Sequence, residues 1–224
     1  MTNKKSISVV WLKRDLRLTD HAPLFHAMQL KKPILVFYCF EPSLRCYYDW
    51  DIRHWRFILQ SLRNLKQKIS LHWYSREVID VLNEVKTFYH IDVIFSHQET
   101  GIAQTYDRDK EVSKWCRENH ILWKEFQHGG VVRALRNREQ WPKLWAQYMN
   151  SSQLHPDLSQ CCFLTEFPAL SFLAHGDDTL IKDLEDHKDL QRGGEAQAQH
   201  VLEDFFQNRI YAYLANISLP AKGR

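Results

Sequence analysis

Short apolar runs alternate with longer amphipathic stretches along the first 126 residues. The runs are Ile7–Leu12, Ile34–Phe40, Leu71–Tyr74, Val93–Phe95 and Ile121–Phe126. Each is rich in β-branched or aromatic residues and short enough for a strand buried on both faces. Between them, Asp51–Ile69 places Ile52, Trp55, Ile58, Leu59, Leu62, Leu65 and Ile69 at steps of three and four, which predicts a helix with one apolar face. Glu77–Phe88 repeats the pattern through Val78, Ile79, Leu82, Val85 and Phe88, and Tyr106–Asn119 follows it less strictly through Val112, Trp115 and Cys116. Asp20 has an N-cap side chain and predicts a helix from about His21, with Pro23 tolerated in its first turn.

Alternating strand and helix predicts an α/β fold with a parallel sheet covered on both faces. Right-handed crossovers bring every strand's carboxyl end to one edge. We expect five strands in the order 3-2-1-4-5, so that the strand order reverses at strand 1 and a ligand cleft opens there. Lys13, Arg14, Asp15 and Arg17, directly after that strand, would then stand on the lip of the cleft.

After Gln127 the pattern changes to a Gly129–Gly130 turn and a short helix around Glu139–Met149. Charge divides the chain at about the same point. Residues 151–224 hold 6 Lys+Arg against 11 Asp+Glu, leaving 24 against 16 for residues 1–150, where all eight tryptophans also lie. This predicts an α/β domain over 1–150, a polar linker over 151–190 with the acidic run Asp177–Asp189, and a helical arm over 191–224. The arm carries Val201, Leu202, Phe205, Ile210 and Leu214 as its apolar stripe and has no partner helices in sequence, which reads either as the first helix of something absent or as a lone arm packing back on the domain.

Several chemistries drop out. No glycine occurs in the first 100 residues, which removes the glycine-rich phosphate turns that need a backbone without Cβ. GxSxG, HExxH and CxxC are absent, and the five cysteines are odd in number with no zinc-like spacing, so we expect reduced thiols in a cytoplasmic protein and no metal site. No apolar run approaches the length of a membrane span. Glu99 in "SHQETG" stands in a strand-end loop, as do His97 and His128, where each is more often structural than catalytic. The residues alone describe an α/β domain whose cleft takes an anionic or planar small molecule.

The stretch "VWLKRDLRLTDHAPL" resembles the N-terminal signature of the photolyase/cryptochrome family, with Trp11, Lys13, Arg14, Asp15, Leu16, Arg17, Asp20 and Leu24 in register and Leu12 where the family has phenylalanine. "FILQSLRNLKQKI", "YDRDKEVSKWC" and "GGEAQAQHVLEDFFQNRIYAYLANISLPA" resemble later family segments in the same order. The resemblance implies a Rossmann-like antenna domain followed by the opening of a helical FAD domain. In the family the complete protein repairs DNA or senses blue light. The family's later FAD contacts have no counterpart here, so we expect FAD not to bind this chain and the chain alone not to be catalytic. Tyr213 matches the tyrosine of an early Y-x-x-x-R flavin pair, but Ile217 takes the arginine's place. The implied antenna cleft draws Lys13, Arg14 and Asp15 from strand 1, Phe40 and Glu41 from strand 2, and Glu99 and Tyr106 from strand 4. Gln104 and Thr105 replace the Asn-Glu pair of folate-binding members, which favours a flavin or deazaflavin over folate. Its partners would be the helical FAD domain and, through that, DNA. Two other readings stay open: an adenine-nucleotide-binding regulatory or electron-transfer module, and an interaction domain docking DNA through its basic face.

Overall fold

The computed structural model describes residues 4–46, 51–165 and 190–216. Five strands, β1 (Ser6–Leu12), β2 (Ile34–Cys39), β3 (His72–Tyr74), β4 (His90–His97) and β5 (Leu122–Phe126), form one parallel sheet in the order β3-β2-β1-β4-β5. The expected order is therefore the observed one. The reversal falls at β1, which pairs Val10 with Val36 of β2 and with Phe95 of β4.

The pleat of β1 sorts the core into two layers. Ile7, Val9 and Trp11 face the helices α4 (Val78–Phe88) and α5 (Ala103–Glu118), packing with Val81, Leu82, Val85, Val112 and Trp115. Val10 and Leu12 face α1 (Ala22–Gln29) and α3 (Ile52–Lys66), packing with Leu24, Leu59, Leu62 and Leu65. Leu59, Leu62 and Leu65 are almost fully buried, and each such side chain contributes about 1.5–3 kcal/mol on leaving water. Both sheet edges are poor templates for a further strand: β3 has three residues, and β5 exposes Leu122 beside Lys124 and Glu125.

Local chemistry sets the helix ends. Asp51 and His54 form a capping box at the start of α3, with Asp51 Oδ1 accepting from the Arg53 N–H and His54 Nδ1 from the Asp51 N–H. The start of α1 differs from expectation. His21 is the cap, its Nδ1 accepting from the Leu24 N–H at 3.1 Å, while Asp20 adopts φ 51° and its carboxylate accepts from the Leu154 N–H. Asp20 is left free to bind the distant chain because the histidine one residue on already satisfies the helix start.

A four-residue helix, α2 (Pro42–Arg45), follows β2, and α6 (Trp141–Met149) follows a single 3₁₀ turn at Arg138–Gln140. The segment after α6 returns to the sheet: Ile34 N–H donates to Cys162 O and Leu164 N–H donates to Ile34 O. The acidic run Asp177–Asp189 and Ile217 lie outside the described residues. The arm comprises α7 (Glu195–Asp204), a π turn (Phe205–Arg209), a 3₁₀ turn (Ile210–Ala212) and α8 (Tyr213–Asn216). Of the two readings of the arm, α7 follows the one in which it packs back on the chain. It lies against α3, where Gly193 N–H donates to Gln60 Oε1 at 2.8 Å. No described helix is long and apolar enough to cross a membrane.

Candidate functional site

At the carboxyl edge of the sheet a cleft of about 880 Å³ opens between the strand ends and α7. Its walls include Trp11 and Lys13 at the end of β1, Tyr38 and Glu41 at the end of β2, Phe57 and Ile58 of α3, and Leu202 of α7. Arg14, Glu99 and Arg108 complete the charged side. Of the residues expected from sequence, Lys13, Arg14, Glu41 and Glu99 line this cleft. Phe40 is buried beneath it, with its ring edge-on to Tyr38 and tilted against Trp55. Tyr106 is half exposed and lines a separate groove with Trp123 and Arg133. Tyr213, on α8, packs edge-on against Phe205.

Behind the cleft lies an ion network that the sequence does not announce. Lys13 Nζ stands 2.6 Å from Asp109 and 3.8 Å from Glu125, and lies over the rings of Trp11 and Trp123. The Arg108 guanidinium reaches Glu41 at 2.7 Å, Asp109 at 2.9 Å and Glu99 at 3.2 Å, and also covers Trp11. Arg14 and Arg133 pair with Glu99 and Glu125 respectively, so four cations meet four carboxylates. Burial lowers the pKa of Lys13 and nearby Arg108 adds to this, while Asp109 and Glu125 oppose it. Burial likewise raises Glu41 despite its bonds from Arg108 and the Val78 N–H. For Arg108, burial would lower the pKa, but Glu41 and Asp109 outweigh it and hold the guanidinium charged. Cations that the sequence left available to a ligand are thus already neutralised from within the protein.

Asp15 faces away from the cleft. Its carboxylate is fully buried, accepts from the Lys13 backbone N–H at 2.7 Å, and lies 2.6 Å from His97 Nδ1 and 3.0 Å from His21 Nε2. Burial would raise its pKa; the contacts to His21 and His97 win and hold it well below the usual carboxylate range. His97 and His128 are lowered, first by burial, with Asp15 opposing and with Arg17 and His21 adding to the effect. Arg17 NH1 approaches His128 Nε2 at 2.8 Å, while its other nitrogens donate to Thr19 O and Asp20 O. Arg17 and Asp15, neighbours in sequence, therefore do not pair with each other.

Asp15, His21 and His97 are the one grouping of metal-type ligands among the described residues. Their chemistry fits an electrostatic staple, with one hydrogen bond from His97 to Asp15 and a close contact from His21 to Asp15, better than a metal centre. His21 Nδ1 accepts the Leu24 N–H, so in the neutral ring the proton sits on Nε2, the atom that would have to bind the metal. The staple joins the ends of β1 and β4 to the start of α1 and holds residues 13–21 in place.

The folate positions are likewise occupied by internal bonds. Gln104 Nε2 donates to Ser43 O at 3.1 Å and the Thr105 hydroxyl donates to Ile102 O at 2.9 Å. Arg108 and Asp109 are site residues that sequence reasoning missed, although they stood in plain view within "YDRDKEVSKWC".

Fold and site together define a doubly wound α/β domain with a switch-point cleft walled by aromatic and apolar side chains. The sequence profile of DNA photolyase matches residues 8–155, and the chain belongs to that family. No curated protein matches it. Among solved structures it is similar to a cryptochrome from Synechocystis, at 20% identity and TM-score 0.67, covering 96% of this chain and 49% of that one. It is also similar to a class III photolyase from Agrobacterium tumefaciens, at 17% identity and TM-score 0.68, covering 96% and 47%. An archaeal photolyase from Sulfolobus tokodaii, described with two FAD molecules and an implied novel light-harvesting cofactor, matches at 18% identity and TM-score 0.68, covering 89% and 47%. The chain spans about half the length of these structures.

Proposed function

We propose that this chain is the chromophore-holding half of a photolyase or cryptochrome, and that its cleft takes an uncharged planar ring of the flavin or deazaflavin type. The observation that carries the reading is the cleft itself: about 880 Å³ at the switch point, walled by Trp11, Tyr38, Phe57 and Leu202, with its charges balanced internally. Such a volume accommodates a fused three-ring system, and apolar walls give it a dry bed. When bound, the ring would supply blue-light absorption. The protein's own residues exclude water and orient it. Arg14, whose side chain is about half exposed at the rim, is the cation best placed to donate to a ring carbonyl.

Two observations support a flavin-type ring over folate. Gln104 and Thr105 offer no carboxylate, and the Gln104 amide N–H and the Thr105 hydroxyl are both donated to backbone carbonyls. An adenine-nucleotide module fits less well, because the turn after β1 is filled by the buried side chains Lys13 and Asp15 rather than by open backbone N–H groups. In this reading the excitation passes to FAD held by a helical partner domain, and any DNA repair or light signalling belongs to that assembly. Exposed Phe206, Tyr211 and Leu214 on the arm support such a partner. Five free cysteines support a reducing, cytoplasmic compartment.

Protein purified from its native host tests the reading. We expect an absorbance band of the flavin or deazaflavin type. A folate-type band would overturn the ring assignment, and a second protein preparation stripped and reloaded with riboflavin should regain the flavin band.

A further inference from the structure

The cleft is not a property of the α/β domain alone, because one of its walls belongs to α7. Gly194, Glu195, Ala198, Gln199 and Leu202 all line it, opposite Leu16 and Ile58. Glu195, the first residue of α7, turns its carboxylate back onto the loop after β1. Oε1 accepts from the Thr19 N–H at 2.7 Å and Oε2 from the Leu18 N–H at 3.1 Å. These two successive backbone donors are satisfied by a side chain 176 and 177 residues away, and the carboxylate is itself buried. The loop it grips is the one that the Asp15 staple holds, so the anchor point is rigid.

Two further contacts set the approach of the same helix. A Cβ on Gly193 would stand 2.1 Å from Phe57 O, so only glycine lets the chain lie this close to α3. Gly194 has φ 115° and sits 3.2 Å, measured from its built Cβ, from the Asn64 side chain. Arg56 NH2 donates to Gln191 O two residues before Gly193. The Gly-Gly-Glu run thus works as a unit: the glycines permit contact and the carboxylate fastens it.

We propose that Glu195 is a positioning residue that straps α7 over the cleft, so that ligand occupancy and docking of α7 reinforce one another. The proposal rests on the chromophore reading above. A ligand touching both Phe57 and Leu202 binds more tightly when α7 is docked, and by reciprocity its presence holds α7 down. Occupancy of the cleft is thereby reported to whatever follows the arm.

The test uses the full chain, riboflavin as probe, and the variants Glu195→Gln, Glu195→Ala and Gly193→Ala. Glu195→Gln keeps length and volume, but its amide offers one acceptor where two N–H donors converge. Gly193→Ala undocks α7 through a residue that is not among those lining the cleft. For all three we expect native far-ultraviolet circular dichroism, hydrogen exchange of residues 195–204 faster by about tenfold or more, and riboflavin affinity weaker by a similar factor. In wild type, riboflavin should slow exchange of the same helix. Unchanged exchange in both Glu195 variants would overturn the strap. Faster exchange with unchanged affinity would overturn the coupling. If wild type binds no riboflavin, the chromophore reading falls and the coupling with it, while exchange in Glu195→Gln still decides the strap.

Discussion

Lys13 and Arg108 both lie over the ring of Trp11, and between them they contact all four carboxylates behind the cleft. Removing one partner from a buried network leaves the others charged without compensation. Arg108→Met should therefore destabilise the fold by about 3–5 kcal/mol, measured by urea denaturation, because Glu41, Glu99 and Asp109 all lose a partner. The histidines behind the sheet act on a different range of pH. His97 and His128 have folded pKa values below the ordinary histidine value, so below about pH 6.5 the unfolded chain binds more protons than the folded one. Stability should fall as pH drops from about 6.5 toward the folded values. His128→Asn should flatten the midpoint-against-pH curve in that window, and an equally steep curve in the variant would remove His128 from the account. The charged strand end was legible in sequence as a lip on the cleft; the partners that neutralise it were not. The partner of Lys13 lies 96 residues away on α5, and only the tertiary register of that helix brings it near.

Helices and strands were readable where period and length agreed. The runs of β1 and β2 and the middle of the α3 stripe, Leu59, Leu62 and Leu65, lie where their patterns place them, whereas Ile52 at its start is half exposed and Ile69 lies past the helix end. The strand β4 extends beyond its apolar run, since His90 and Asp92 sit at its start. The cap of α1 moved from Asp20 to His21, because imidazole Nδ1 accepts a backbone N–H as well as a carboxylate does. The arm was expected as one helix and contains a π turn at Phe205–Arg209, where Arg209 pairs with Asp204 at 2.6 Å and covers the Phe205 ring. Where α7 docks was hidden, because the role of Gly193 depends on the surface of α3. For Glu195, burial would raise the pKa, but the bonds from Thr19 and Leu18 hold it below the usual range. A depressed carboxylate stabilises above its unfolded pKa and loses that contribution as pH falls through the folded value. Protection of residues 195–204 against exchange, taken relative to the intrinsic rate at each pH, should therefore fall on acidification below about pH 4, and earlier than protection in β1.

For the whole molecule, alternation of elements and the handedness of crossovers were enough to order the sheet and locate the switch point. What the cleft prefers follows from its charge balance, which no local pattern displays. An uncharged ring in such a site should bind with little dependence on salt, whereas a ligand gripped by free cations would lose affinity steeply. Whether the cleft holds an uncharged planar ring is read most directly from fluorescence titration of the purified chain with riboflavin, in wild type and in Leu202→Arg, which places a long charged side chain on the cleft wall. Binding to wild type should be saturable and nearly unchanged between low and moderate salt, and about tenfold or more weaker in the variant. Absence of riboflavin binding to wild type, or equal binding to both proteins, would contradict that reading.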